Sequence, residues 1–297
     1  MRPVILSSPL TFVAVVGDVK GPSDPSALQC PEGTAMLVDE IRVHSDYQLD
    51  RADFSFSLGR AKMTNGYLPP SLIARHENPS KSTAGYFWNS TGGVMVWRFP
   101  RPLFVPRGRS ITISGVSTVA AARTFYVSFK ARILEEGAPE PAVVAVPYVS
   151  AFYPAAPATA LDAADTTTVR RSVTGELGNP FAVPLHVRSF LGWSDIGLTG
   201  GYDRYAYITL QTCIQRYYAQ MQISDWNGNP LVRTKTRLSH LCSSKGSNEW
   251  ALPFDIPAGK SLYAVMDETH PVVAGRISLR PGISINGWRN VPISEVK

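Results

Sequence analysis

The chain has 297 residues, a formal net charge of +6 and 10% aromatic residues, with 24 prolines and 23 glycines. This length accommodates two domains of about 140 residues, each large enough to bury a core without a structural metal or a disulfide framework. Strongly periodic helices longer than a few turns are missing, and β-branched and aromatic residues fall in short runs between turn residues. The composition therefore argues against a helical protein and favours an all-β one.

Short apolar runs and alternating patterns in the first half predict six strands. These are Leu10–Val16, Met36–His44, Phe54–Leu58, Val94–Phe99, Ser110–Gly115 and Thr124–Leu134. The long polar stretch between the third and fourth contains Asn65-Gly66, Pro69-Pro70 and Gly92-Gly93, all typical of turns. A loop of this length is usually functional or mobile.

The composition changes after residue 134 to small, proline-punctuated and charge-poor sequence, as it does in linkers. We place a domain boundary near Pro154, with a first domain at 1–153 that includes the connecting segment and a second at 154–297. A short helix is predicted for Leu161–Val173, capped at Asp162 or Asp165.

The second half again shows short runs that predict strands, with Asn227-Gly228-Asn229-Pro230 as a turn between two of them. The predicted strands are Ala182–Leu191, Tyr205–Ile214, Gln220–Ser224, Leu231–Leu241, Ser261–Met266 and Arg276–Leu279.

A sequence motif occurs once in each half. Trp97-Arg-Phe-Pro100 precedes Pro106-Arg-Gly108-Arg109-Ser110, and Trp250-Ala-Leu-Pro253 precedes Pro257-Ala-Gly259-Lys260-Ser261. The offset between the two copies is two residues smaller at the second part of the motif, as a short deletion inside a duplicated unit would produce. The chain is therefore interpreted as a tandem duplication.

Flanking strands extend this match in the same order. Ile41-Arg-Val43-His-Ser45 resembles Leu185-His-Val187-Arg-Ser189, and the alternating run 124–131 resembles 275–280. Each match is weak by itself, and the shared order is what supports the duplication.

The motif residues Trp97, Pro100, Pro106, Gly108 and their counterparts Trp250, Pro253, Pro257, Gly259 predict a structural corner. Proline fixes φ and glycine tolerates positive φ, so the run makes a tight bend into the next strand. Each tryptophan is expected to cover the open end of a sandwich core. The competing interpretation is a platform that stacks a sugar or a base.

Two tandem sandwiches with this motif ahead of the last strands, a proline-rich connection and long loops resemble the double jelly-roll major capsid proteins of tailless icosahedral viruses, which include the adenovirus hexon lineage and membrane-containing bacteriophages. The resemblance implies two jelly-roll β-sandwiches, a homotrimer with the outline of a pseudo-hexagonal capsomer, and contacts with neighbouring capsomers and other capsid proteins. It implies a virion location after assembly in the host cytoplasm. One jelly roll joined to a different β domain stays open as an alternative.

The sequence contains no motif of a hydrolase nucleophile elbow, a zinc protease, a phosphate loop or a dinucleotide fold. Its five histidines have no metal-ligand spacing. We therefore predict a protein that is not an enzyme and has no cofactor and no metal site. Cys30, Cys213 and Cys242 are expected to be buried thiols, with a bridge between the last two as an alternative.

Basic residues are dispersed, with concentrations at 101–109 and 233–237. Such faces could meet packaged genome or the headgroups of an internal membrane, and specific nucleic-acid recognition is not predicted. Prolines interrupt the apolar stretches near the amino terminus and at 142–164, so we predict neither a secretory signal nor a membrane span.

Two other function classes stay open beside the shell protein. A phage tail or receptor-binding module would stack glycans on Tyr67, Phe87 and Trp88. A β-sandwich hydrolase would use two of the carboxylates Asp46, Asp50 and Asp53, and the same three could instead hold calcium.

Overall fold

The structure, a computed structural model, consists almost entirely of antiparallel strands. It describes residues 1–45, 52–77, 80–81, 88–89, 94–118, 120–153, 168–198, 218–232, 234–237, 249–271 and 277–297. Alternation in the sequence becomes alternation of burial: in Ala52–Leu58 the alanine, both phenylalanines and the leucine are buried, and the residues between them are half-buried.

The first half forms two sheets that enclose a core rich in phenylalanine. Its strands are β1 (Arg2–Phe12), β2 (Val19–Lys20), β3 (Met36–Ser45), β4 (Ala52–Leu58), β5 (Ala61–Lys62), β6 (Arg75–Glu77), β7 (Ser80–Lys81), β8 (Trp88–Asn89), β9 (Val94–Val105), β10 (Ile111–Ser117) and β11 (Arg123–Ile133). The sheet orders are β1-β11-β3-β9-β6 and β2-β10-β4-β5, and β7 pairs with β8. A 3₁₀ turn covers Pro25–Leu28, and helix α1 covers Pro70–Ile73.

The second half repeats this arrangement. Its strands are β12 (Val143–Phe152), β13 (Thr168–Gly178), β14 (Leu185–Leu198), β15 (Tyr218–Ser224), β16 (Thr236–Arg237), β17 (Glu249–Ile256), β18 (Ser261–Pro271) and β19 (Ile277–Pro292), followed by helix α2 (Ile293–Val296). The sheet orders are β12-β19-β14-β17 and β13-β18-β15-β16.

Strand order is the same in both halves. Without the extra strands β6, β7 and β8, each half has eight described strands, which we number 1 to 8 in chain order within each sandwich. In this numbering both halves have one sheet in the order 1-8-3-6 and one in the order 2-7-4-5. This is the connectivity of a jelly roll, in which two Greek keys wrap two facing sheets. The predicted all-β double jelly roll is confirmed, and the alternative of one jelly roll with a different β domain is wrong.

Strand register corrects two of the sequence matches. Met36 pairs with Val105 and Leu185 with Ile256, and both partners directly precede a corner proline, so Met36 is the counterpart of Leu185. The match of Ile41 with Leu185 was therefore five residues out of register, and so was that of 124–131 with 275–280. In β3 and β14, the third strand of each sandwich, a bulge shifts the alternation of apolar residues by one position. Because of this shift, apolar residues of the two strands still coincide when the strands are compared five residues out of register.

Several predicted elements differ in their bounds. The first strand begins at Arg2 rather than Leu10, because an edge strand accepts the prolines that interrupt its pattern. The helix predicted up to Val173 is wrong from residue 168 onward, where β13 pairs with β18, and residues 161–167 lie outside the described residues. The predicted strand Tyr205–Ile214 also lies outside them.

Strand β12 belongs by pairing to the second sandwich, because Val143–Phe152 lies against β19 over its full length. The predicted boundary near Pro154 falls after this strand. We propose that the domain division lies between Ile133 and Val143, where the chain leaves one set of sheets and enters the other.

Candidate functional site: the corners and the contact between sandwiches

The two predicted corners have the same backbone conformation. Gly108 and Gly259 both have φ of 66°, and the amide after each glycine donates to the corner proline, at 3.1 Å from Arg109 N to Pro106 O and 3.2 Å from Lys260 N to Pro257 O. Each corner joins the sixth strand of its sandwich to the seventh. A positive φ at the third position of a four-residue turn is what glycine supplies without steric cost.

The offset difference between the two motif copies has a structural cause. In β9 four residues, Phe99–Pro102, lie unpaired between the partners of β3, whereas in β17 only Leu252–Pro253 are skipped. Pro100 and Pro253 lie in these unpaired stretches. The two-residue difference between the copies therefore lies where the ladder is interrupted in both.

Trp97 and Trp250 occupy equivalent ladder positions, opposite Ile41 and Phe190. Trp97 is buried between the sheets, edge-on to Phe56 at 5.7 Å between ring centroids. Trp250 is 47% exposed. The same position is thus closed in one sandwich and accessible in the other.

The sandwiches meet along the free edge of β12. Val149 N donates to Met63 O at 2.9 Å, and Asn65 N donates to Val149 O at 3.0 Å. The Asn65 side chain donates to Ala151 O at 3.1 Å and accepts from Ala151 N at 3.2 Å. Segment 63–65 of the first sandwich therefore pairs with this edge like a short additional strand, and it satisfies the outward-facing backbone groups of Val149 and Ala151.

Helix α1 of the first sandwich lies against β14 and β19 of the second. Ser284 Oγ donates to Leu72 O at 2.6 Å, and Asn286 Nδ2 donates to Ile73 O at 3.3 Å. A helix of one turn leaves its carbonyl groups without intrahelical donors, and these two side chains supply the missing bonds. All four residues of α1 are buried.

The carboxyl-terminal residues reach back from the second sandwich to the first. Arg60 N donates to Glu295 O at 2.9 Å, and Val296 is buried. A Cβ at Gly59 would lie 2.8 Å from the carbonyl carbon of Val296, so only glycine allows this approach.

Arg289 is buried at the same contact, with 2% of its surface exposed. Its guanidinium lies 3.5 Å above the Phe181 ring, and Nη2 donates to Lys62 O at 3.3 Å. Burial lowers the pKa of Arg289, and Glu295, 3.5 Å from Nη1, partly restores it. Burial also raises the pKa of the nearby Tyr148 to about 12. The cation is thus stabilised by an aromatic face, a carbonyl group of the other sandwich and one carboxylate.

The residues proposed for chemistry are not assembled into a site in the described ranges. Asp46, Asp50 and Phe87 lie outside these ranges, as do Cys213 and Cys242, and nothing is described of the Trp88 side chain. Tyr67 donates to or accepts from Ser114 Oγ at 2.8 Å. Cys30 is buried, which raises the pKa of its thiol.

The described part of the chain has neither a metal-binding cluster nor a membrane-spanning helix. It contains no group of three histidine, cysteine, aspartate or glutamate side chains that could hold a metal ion. None of its helices has the length and apolarity needed to cross a membrane.

Sequence patterns do not indicate the contact residues Met63, Leu72, Ser284 and Arg289. Their partners are mostly backbone carbonyl groups on a distant part of the chain, and no local motif records such a bond. Asn65 belongs to Asn65-Gly66, which predicts a turn but not the contact with β12.

No protein-family model and no curated protein matches this chain. Among solved structures, the chain is similar to the major capsid protein P2 of bacteriophage PM2, with 8% identity and a TM-score of 0.45 over 97% of this chain and 98% of that chain. It is similar to a chain of Sulfolobus Turreted Icosahedral Virus, with 10% identity and a TM-score of 0.43 over 97% and 91%. It is also similar to a chain of the PBCV-1 virus capsid, with 8% identity and a TM-score of 0.43 over 97% and 94%. At identities and TM-scores this low, the functions of these proteins cannot be assigned to this chain.

Proposed function

We propose that this protein is a structural coat protein and that three copies of it form a pseudo-hexagonal capsomer of an icosahedral virus shell. The observation that carries this proposal is the presence of two jelly rolls of identical strand order, joined by a buried contact into one block. Three such blocks would present six sandwiches around one axis, which gives a three-copy ring a nearly hexagonal outline.

The contact between the sandwiches suits a structural role. The larger core cluster includes Val144, Val146, Val149 and Val291 of the second half, so apolar packing continues from the first sandwich into the contact. The backbone hydrogen bonds at β12 and the side-chain hydrogen bond to α1 are directional, so they fix the orientation of one sandwich relative to the other. Hydrophobic burial with satisfied polar groups holds two domains in one orientation.

The same proposal covers the partners and the location. The partners would be copies of this chain, neighbouring capsomers and other capsid proteins, with membrane lipid or packaged genome as candidates for the basic faces. At the first corner the exposed residues Arg107 and Arg109 add positive charge. The protein would act in the virion after assembly in the host cytoplasm, without catalysis and without a cofactor.

The mass and shape of the purified protein in solution test this function. Sedimentation velocity at rising concentration is expected to show a species of three copies, and negative-stain images are expected to show a three-lobed particle with a hexagonal outline. A chain that stays a single copy at high concentration would overturn the proposal.

A further inference from the structure

Among the residues that the structure describes, none covers β1, the strand of the first sandwich that corresponds to β12, at Ile5. Ile5 pairs with Lys130 and Val149 pairs with Asn286. Lys130 pairs with Glu40, and Asn286 pairs with Ser189. Glu40 and Ser189 are each the first paired residue after the bulge in the third strand of their sandwich, so Lys130 and Asn286 occupy equivalent positions. Val149 is fully buried by the first sandwich, whereas Ile5 is 78% exposed.

β1 and β12 have the same short stretch of outward-facing backbone groups at their outer edges. Alternate residues of a strand direct their N–H and C=O groups to the same edge. In β1 this outer edge carries Pro3, Ile5, Ser7 and Pro9, and Pro9 O already accepts from Ser23 N at 2.8 Å. The prolines have no N–H, so the open stretch runs from Ile5 to Ser7.

The counterpart of this stretch in β12 is Val149 to Ala151, which also follows a proline, Pro147. Pro147 pairs with Trp288, and Pro3 pairs with Arg132. Trp288 and Arg132 lie two residues after the equivalent positions Asn286 and Lys130, so the two prolines are equivalent as well. Segment 63–65 occupies this stretch in β12. In the described part of the chain, no backbone bond from outside the sheet reaches Ile5 or Ser7.

In the second sandwich, Leu231 occupies the position that corresponds to Met63. Met63 N donates to Phe56 O at 2.9 Å, and Leu231 N donates to Ile223 O at 2.8 Å. Phe56 and Ile223 are equivalent, since each faces the third residue after the serine of its corner motif. Met63 is buried at the contact between the sandwiches, whereas Leu231 is 41% exposed.

We propose that Leu231 and Val232 of one copy dock on the Ile5–Ser7 edge of the next copy, as segment 63–65 docks on Val149–Ala151 within the chain. The occupant of the open edge is thus a second copy of this protein. This inference rests on the proposed function and identifies the surfaces that join the copies. The contact is head-to-tail, so it repeats from copy to copy until the ring closes.

Charge substitutions on the two surfaces test the docking. Ile5→Asp and Leu231→Asp each place a carboxylate where apolar packing and strand pairing are expected. Each variant is expected to sediment as one copy instead of three, with an unchanged melting temperature at the concentration where the wild type is also a single copy. Val16→Asp is the control, because Val16 is also aliphatic, has an exposure of 62% that lies between those of Ile5 and Leu231, and lies outside both surfaces. This control is expected to remain assembled.

A mixture of the two variants tests the direction of the contact. Ile5→Asp keeps an intact Leu231 surface, and Leu231→Asp keeps an intact Ile5 edge, so one productive contact is available per pair. An equimolar mixture is expected to give a two-copy species that neither variant forms alone. A contact between identical surfaces would not show this complementation.

A disulfide cross-link provides a readout that does not depend on loss of assembly. The double variant Ile5→Cys and Leu231→Cys is expected to give three-chain bands on a non-reducing gel after mild oxidation, and each single cysteine variant is expected to give none. If the wild type assembles while Ile5→Asp and Leu231→Asp assemble equally well and no cross-link forms, this inference is wrong and the proposed function stands. A wild type that remains a single copy overturns both.

Discussion

Gly108 and Gly259 share a φ of 66° at the two corners that join the sixth and seventh strands of their sandwiches. An added Cβ at either glycine would meet no atom within 4 Å. Substitution of either glycine by alanine would therefore introduce backbone strain at positive φ without a steric clash of the added Cβ. The turn Pro31–Thr34 has the same kind of proline-to-amide bond, with φ of 78° at Gly33, so the turn type alone does not relate the two corners. What relates them is their equivalent place between the sixth and seventh strands of the two sandwiches.

Gly108→Ala and Gly259→Ala are each expected to lower the free energy of unfolding by about 1 kcal/mol, because alanine is strained at positive φ. The measurement is urea unfolding followed by tryptophan fluorescence. Gly66→Ala is the control, since Gly66 also has open space around it but no positive φ. Equal losses at Gly66 and Gly108 would contradict the assigned cause.

The corners could be predicted from the sequence because a bend with positive φ demands particular residues. Proline and glycine at fixed spacing record a backbone conformation directly. The alternating strands were predictable for the same kind of reason, since one face of each strand meets the core. Phe54 and Phe56 show this most clearly.

The contact between the sandwiches could not be predicted in this way. Ile5 and Val149 are both aliphatic residues of an edge strand, yet one is exposed and the other is fully buried. Their difference depends on whether another segment lies beside the strand, which no local pattern encodes. Tertiary packing likewise decided that β12 belongs to the second sandwich, although the change in composition around it suggested a linker.

Ser284→Ala tests the bond between the second sandwich and α1. The substitution leaves the carbonyl group of Leu72 buried without its donor, so we expect a loss of about 1–3 kcal/mol in the free energy of unfolding. Ser57→Ala in β4 is a matched control, because Ser57 is half-buried in a strand and makes no such contact. Urea unfolding of both variants measures the difference. A loss no larger than that of the control would show that the bond contributes nothing to the contact.

Substitution of Arg289 tests the buried cation between the sandwiches. Arg289→Ala removes the stacking on Phe181 and the bond to Lys62 O, and we expect a loss of about 2 kcal/mol or more in the free energy of unfolding. Arg289→Lys is expected to recover only part of this loss, because an ammonium group cannot stack as a planar guanidinium does. Thermal unfolding ranks the three proteins. Full recovery by lysine would show that charge alone matters at this position.

The pH dependence of stability tests the pairing of Glu40 with Arg42 and Arg98. Burial by itself raises the pKa of Glu40, but the hydrogen bonds and charges of the two arginines outweigh it and hold this pKa below its ordinary value. A carboxyl with a depressed pKa in the folded state stabilises the protein above its unfolded pKa and loses this contribution as the pH falls through the folded value. Glu40→Gln is therefore expected to cost about 1–2 kcal/mol of unfolding free energy at pH 7, and this cost is expected to shrink as the pH falls through the lowered folded pKa of Glu40.

Urea unfolding of the wild type and Glu40→Gln at pH 7 and pH 3 measures this dependence. Glu32→Gln is the control, because Glu32 is exposed and makes no ion pair among the described residues, so its substitution should have little effect at either pH. A cost of Glu40→Gln that is the same at both pH values would contradict the stabilising role of the ionised carboxylate. A cost that disappears on acidification would identify Glu40 as one of the groups that make the first sandwich sensitive to acid.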